Sequence, residues 1–181
     1  MIAALFVQRD GCYWDLPGVD PWDEERDARL YAGPWPVVAH PPCARWGRYW
    51  HGSPSKPHQF ELGDDGGCFA AALAAVRKWG GVLEHPAGSN AWGAHQLWTP
   101  GPRGWCMADT VGGWTCLVDQ GHYGHSARKA TWLYAVGCDR RPLTWGPCLA
   151  PERPLEHMSK RQRAATPIEF RDLLLYLVAS R

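Results

Sequence analysis

Pro36-Val37-Val38-Ala39-His40-Pro41-Pro42-Cys43 decides how the rest of the chain is read. Val37 to Ala39 is short and apolar, the pattern of a buried strand. Two prolines cannot continue a ladder, so the chain must turn where that strand ends. In an open α/β sheet the carboxyl end of a strand is where ligands bind. A stiff turn leaves Cys43 little positional freedom, which suits a nucleophile. The plainer alternative is a proline-rich surface turn that happens to carry a cysteine.

A second stretch ends in the same way. Val82-Leu83 runs into Glu84-His85-Pro86. Between the two lies Gly67 to Trp79, with Phe69, Leu73, Val76 and interspersed alanines at helical spacing, closed by Gly80-Gly81. A strand–helix–strand unit makes its strands parallel neighbours. Cys43 and Glu84 are then expected at one edge of one sheet.

Outward from this unit, Ile2 to Val7 reads as a first strand. Asp20 as cap and Pro21 at the first helical position predict a short helix over Trp22 to Tyr31. Trp114 to Asp119 and Thr131 to Val136 read as a hairpin with a long tip. Thr166-Pro167-Ile168-Glu169 has the form of a capping box. It opens a helix whose stripe is Phe170, Leu173, Leu174, Leu177 and Val178. The expected fold is a single α/β domain over residues 1–181. It is a Rossmann-like three-layer sandwich with a mainly parallel sheet and an antiparallel hairpin at one edge. Residues 138–165 are expected to form an extended loop region.

The chain has 181 residues and a net charge of +1. No overall field calls for nucleic acid, so such contacts must come from local patches such as Lys160, Arg161 and Arg163. No stretch is long and apolar enough to span a bilayer. The first apolar run lacks the basic start of a signal peptide. A cytoplasmic setting with reduced cysteines is therefore expected. The seven cysteines include no Cys-x-x-Cys. The pairs Cys106/Cys116 and Cys138/Cys148, with His122 and His125 between them, match no common zinc module. No metal ligand is assigned, and a structural zinc protein is kept as a third reading. Twelve tryptophans exceed what a core needs, which suggests stacking surfaces for flat ligands.

A thiol beside a carboxylic acid suits conjugate addition to a pyrimidine. The thiolate attacks ring carbon 6 while the acid holds or protonates ring nitrogen 3. Arg45, close after Cys43, is expected to favour the thiolate. Glu84 at a buried strand end is expected to have a raised pKa and to stay partly protonated near neutrality. Trp46, Trp50 and Trp92 are the loop tryptophans expected to wall the base. The loop Arg45 to Pro57 is expected to lie over the site and to move.

These segments resemble a family. Pro41-Pro42-Cys43 resembles the Pro-Cys loop that carries the nucleophile of DNA cytosine-5 methyltransferases. Glu84-His85-Pro86 is similar to the family's Glu-Asn-Val segment. Gly124-His125-Ser126-Ala127-Arg128-Lys129 resembles its Gln-x-Arg-x-Arg segment before a strand, with Arg128 in register and Lys129 off it. Val19-Asp20-Pro21 with Tyr31 is similar to the acidic strand end that holds the ribose of S-adenosylmethionine. Thr166-Pro167 resembles the final segment. The overall likeness is to a small, bacteriophage-type relative.

The resemblance implies that Cys43, Glu84 and Arg128 are catalytic. It adds Pro42, His85, His125 and Lys129 as substrate-binding and Asp20 as a cofactor contact, and the loops beside the two strand ends add Arg45, Trp46, Ser89, Asn90 and Trp92 to the substrate-binding set. It implies S-adenosylmethionine as cofactor and DNA or a nucleotide as partner. The family's Gly-rich turn after the first strand has no counterpart, however, which speaks against tight cofactor binding. A homodimer or a partner chain would be one way to complete the cofactor half. A base-binding or shielding protein that keeps the pocket without group transfer is the alternative.

Overall fold

The structure, a computed structural model, describes residues 1–52, 59–154 and 157–180. One seven-stranded sheet organises them. The strands are β1 Ile2–Leu5, β2 Val19–Trp22, β3 Val37–Ala39, β4 Gly81–Pro86, β5 Cys106–Met107, β6 Trp114–Asp119 and β7 Ala130–Val136. Their order is β2-β1-β3-β4-β7-β6-β5. The β2-β1-β3-β4 half is parallel, and β7, β6 and β5 continue it antiparallel. The expected neighbours β3 and β4 do pair in parallel. The sheet is evenly mixed, however, and β5 rather than the β6–β7 hairpin forms its edge.

Helices cover both faces. α1, Cys68–Trp79, packs on β3, β4 and β7. Phe69, Ala72, Leu73 and Val76 meet Leu5, Val37, Ala39 and Leu83 there. α2, Asn90–Ala94, adds Trp92 to this layer. α4, Ile168–Ala179, packs on β1, β3 and β4 from the other side. Its Phe170, Leu174, Leu177 and Val178 meet Ala4, Val38 and Val82. Adjacent residues on each strand thus serve opposite cores, as the pleat requires. Fully burying each such side chain contributes about 1.5–3 kcal/mol.

Local chemistry explains three departures from the sequence reading. Asp20 and Pro21 lie inside β2, and the expected helix shrinks to a 3-10 turn at Ala28–Leu30, capped by Asp27. Proline is tolerated in β2 because that strand is at the sheet edge. The capping box belongs to Ser159 and Gln162, which open a short helix α3, Lys160–Ala164, inside the expected loop region. Pro167 caps α4 without a side-chain bond. α1 begins where Asp65 accepts hydrogen bonds from the backbone of Gly67 and Phe69, both 2.9 Å. Among the described residues no helix is long and apolar enough to cross a membrane.

Gly81 starts β4 with φ +133°, and a Cβ there would collide with the backbone of Val37. Gly81→Ala should therefore destabilise the fold by about 3 kcal/mol, the scale of overpacking joined to backbone strain. Gly93 in α2 has open space around it. Gly93→Ala should be neutral or stabilising by up to about 1 kcal/mol. Urea denaturation of both variants checks the contrast.

Candidate active site

The register Ala39↔Leu83 places His40, just past the end of β3, beside Glu84 within β4. His40 Nδ1 lies 2.9 Å from Glu84 Oε1, with the two side chains 10% and 14% exposed. On the other side of the imidazole, Nε2 is 2.8 Å from the hydroxyl of Tyr13. Tyr13 comes from the β1–β2 connection and is buried against the α4 face. Tyr13, His40 and Glu84 thus form one hydrogen-bonded row across the carboxyl edge of the sheet. The sequence reading gave His40 and Tyr13 no role. Once β3 and β4 are paired, the match of His40 to Glu84 follows from register; Tyr13 carries no sequence signal.

Glu84 does not behave as expected. Burial, the largest single influence, pushes its pKa up. The hydrogen bond and charge of His40, then the charges of Lys129 and His85, outweigh burial and lower it from 4.5 to about 2. The expectation of a partly protonated Glu84 is therefore overturned. The carboxylate is ionised at neutrality and accepts the Nδ1–H of His40.

The cation at the site is Lys129. Burial lowers its pKa, and the negative charges of Glu84 and Cys43 offset part of that. Asp119, at the end of β6, fixes the Lys129 backbone by accepting its N–H at 2.9 Å. Asp119 also accepts from Gly121 at 2.9 Å and from Cys148 at 3.0 Å. Arg128, the in-register residue of the resemblance, instead points outward, 58% exposed and 3.8 Å from Asp119. Arg45 is committed elsewhere as well. Its guanidinium lies 3.3 Å from the centroid of the Phe60 ring.

Cys43 is exposed and in no disulfide. It lines a cleft of about 390 Å³ with Gly47, Arg48 and residues 85–90. That volume is at the small end of the ~300–1,000 Å³ typical of small-molecule sites. Glu84 and Lys129 are not part of its wall. Cys43 and His85 are common to the cleft and to the charge cluster.

His85 points to the opposite face from Glu84 and is 1% exposed, between Phe69 and Trp92. Burial lowers its pKa to about 4. The carbonyls of Pro41 and Pro42 favour its protonated form, yet neither closes a hydrogen bond to Nε2. Ser89 shares a 2.8 Å hydrogen bond with His85 Nδ1 and caps α2. Asn90 sends its backbone and side-chain N–H to the Trp46 carbonyl, both at 3.0 Å, and so ties the Cys43 turn to β4.

Several expected contacts are structural. Trp46 is buried, donates to Asp65 at 2.8 Å and packs on Phe69. Trp92 is 0% exposed and sits in the core against Trp132. Neither walls a base. His125 is buried and its Nδ1 serves its own turn at Ala127. Pro42 is exposed beside Cys43. The loop Arg45 to Pro57 is anchored at Trp46, and its residues 53–58 lie outside the described residues. Among the described residues no three His, Cys, Asp or Glu side chains gather to hold a metal ion. Cys116 faces the core, where burial pushes its thiol up.

The carboxyl end of β1 lacks the glycine turn of an S-adenosylmethionine site, although a cleft of about 510 Å³ opens beside it at residues 7–9 and 23–25. In place of a glycine turn it has Phe6 at φ 58°, then Val7, which is buried and bonded to the Trp22 carbonyl at 3.2 Å. Asp20, the expected ribose contact, instead binds Arg26 at 2.7 Å and the Trp22 indole at 2.8 Å.

Comparison with protein-family models, with curated proteins and with solved structures gave no match.

Two outcomes follow. Lys129→Met should slow alkylation of Cys43 by up to about tenfold, the factor carried by one pKa unit. Arg128→Ala should leave that rate unchanged, as read by peptide mass spectrometry after brief iodoacetamide treatment. Glu84 has a depressed pKa in the folded state, so it contributes stability above pH 4.5 that is lost as the pH falls toward about 2. Glu84→Gln should remove that part of the acid dependence in urea titrations across this range.

Proposed function

We propose that the chain is a DNA cytosine-5 methyltransferase-like protein. It takes a pyrimidine base, in DNA or as a nucleotide, and adds Cys43 to ring carbon 6. One observation carries this reading. The parallel register of β3 on β4 brings the Cys43 turn and Glu84 to one carboxyl edge, beside a cleft that Cys43 lines. The β6–β7 pair lends support, because a hairpin placed antiparallel beside the Glu84 strand is the arrangement expected of a methyltransferase-like sheet.

In this reading Lys129 favours the Cys43 thiolate and can donate to a ring carbonyl. The ionised Glu84 accepts an N–H from the base edge, such as the amino group of cytosine. Arg48 in the cleft wall, with the exposed Arg128, Arg161 and Arg163, would meet phosphates. Host cytoplasm is the setting that a bacteriophage-type relative would have.

A second reading, base binding or shielding without group transfer, is favoured by the carboxyl end of β1, which has Phe6 where the family has its glycine turn. The test is an oligonucleotide carrying pyrimidin-2-one, whose carbon 6 adds a thiol without any group transfer. Intact mass should show an adduct with the wild type and none with Cys43→Ser. Equal binding by both proteins with no adduct from either would replace the enzyme reading with the shielding one.

A further inference from the structure

The addition proposed above needs a proton at ring nitrogen 3, and an ionised Glu84 has none to give. The row Tyr13–His40–Glu84 offers a source. A carboxylate can only accept, so His40 carries a hydrogen on Nδ1 toward Glu84 Oε1 at 2.9 Å. With a neutral ring, Nε2 accepts the Tyr13 hydroxyl at 2.8 Å. With a protonated ring, Nε2–H donates to the same oxygen. The imidazole therefore keeps both hydrogen bonds in either charge state, and no side chain has to move.

Tyr13 is 2% exposed and closes the far end of the row to solvent. At the near end, Glu84 keeps 14% exposure, and no described residue makes a hydrogen bond to its Oε2. Oε2 is the atom through which Glu84 could meet a base, beside the cleft that Cys43 lines rather than in its wall.

We propose that His40 and Glu84 hold one proton between them, anchored by Tyr13, and that this shared proton is the one delivered to the base. The proposal rests on the pyrimidine reading. In the step, the Cys43 thiolate forms the S–C6 bond and the C5=C6 π bond breaks. A C4=C5 bond forms, and the C4=N3 π pair moves to nitrogen 3. The imidazolium first passes its extra proton to Glu84 and nitrogen 3 then takes that proton, so Glu84 ends as the carboxylate and His40 ends neutral. No other reactant is required, and the reverse step returns the proton. His40 acts through Glu84 and is a positioning residue; Glu84 is the group that meets the base.

The charged and titratable groups around the row come from every neighbouring element. Cys43 follows β3, and His85 lies beside Glu84 on β4. Lys129 comes from the β6–β7 connection. Cys12 precedes Tyr13, and Arg171 and Asp172 reach Tyr13 from α4. Arg171 is itself held by the Cys12 carbonyl at 2.7 Å and by Asp172 at 2.7 Å. Within this set, Lys129 is the cation that opposes an added proton at Glu84, and Cys43 as thiolate favours it.

The test is the rate of adduct formation with the pyrimidin-2-one oligonucleotide as a function of pH. His40→Asn keeps an N–H toward Glu84 but cannot carry the proton. It should slow adduct formation about 100-fold at neutral pH, the scale of general-acid assistance. It should also move the alkaline fall of the profile to lower pH, with affinity for an ordinary cytosine oligonucleotide held within about twofold. Tyr13→Phe should move the same limb in the same direction by a smaller amount. Slowing by one constant factor at every pH, or none, would overturn the proposal.

A second measurement does not depend on activity. The Nδ1 proton of His40 is followed by NMR in wild type and in Glu84→Gln. Loss of the carboxylate should speed its exchange with water tenfold or more. An exchange rate that does not respond refutes the shared proton even if adducts form. A wild type without adduct, whose exchange rate still responds, refutes the pyrimidine reading and the delivery step together, and leaves the proton-holding pair standing.

Discussion

The close approach of β4 to β3 is the constraint on which the rest of the structure depends. Gly81 lies against the Val37 backbone at a distance that leaves no room for a Cβ. That contact fixes the register Val37↔Gly81, Val38↔Val82 and Ala39↔Leu83. Every later placement follows from it. His40 and Glu84 lie together on the α4 face. His85 turns to the α1 face against Phe69 and Trp92. A slip of one residue would exchange these faces, burying a carboxylate among aromatic rings and separating it from its imidazole. Such an uncompensated charge is strongly disfavoured. The hydrogen bond of His40 to Glu84 and the glycine contact therefore enforce the same register from opposite ends of the strand pair.

The half of the fold closest to this contact was legible in the sequence. Two apolar runs ending at prolines, with an alanine-rich helix between them, predict adjacent parallel strands, and β3, α1 and β4 are so arranged. The β6–β7 hairpin was legible for the same reason, because alternation and turn residues are local signals. The β2 edge was not. Asp20-Pro21 has the form of a helix start, and only the position of β2 at the sheet edge lets a proline remain in a strand. The Thr166-Pro167-Ile168-Glu169 pattern was sound chemistry in the wrong place. Ser159 and Gln162 make the reciprocal cap instead, and proline's fixed φ suffices to start α4.

At the site, the sequence placed Cys43 and Glu84 at one edge but misjudged what surrounds them. Proximity to Cys43 in sequence suggested Arg45 and Trp46 as partners, and the family resemblance suggested Arg128. In space Arg45 stacks on Phe60, Trp46 is a core residue tied to Asp65, and Lys129 supplies the charge. A cation's reach depends on the turn that aims it. Asp119 sets that turn through backbone bonds that no motif encodes. The tryptophan count misled in a similar way. Trp46 and Trp92 fill the layer between α1, α2 and the sheet, where the many alanines of α1 leave room for large rings. His40 was in plain view within the opening stretch, yet its role exists only in the paired strands.

The strand order also explains why the working edge is at β3 and β4. The β1–β2 connection runs outward to the sheet edge and the β2–β3 connection runs back past β1, so the crevice favoured for ligands lies at the ends of β1 and β3. Here the β1–β3 side of that crevice is filled, while a cleft stays open beside it at residues 7–9 and 23–25. His40 N–H bonds to the Leu5 carbonyl at 3.0 Å, and Tyr13 folds over the His40 ring. The residue that fills that side is the one that anchors His40. Charge then accounts for what the neighbouring edge can hold. Lys129 and Glu84 balance each other. A thiolate on Cys43 adds one negative charge, and a proton shared by His40 and Glu84 adds one positive charge. In a partly buried site each is easier to hold when the other is present. The nucleophile and the acid are thus favoured together, in the pairing that addition to a pyrimidine ring requires.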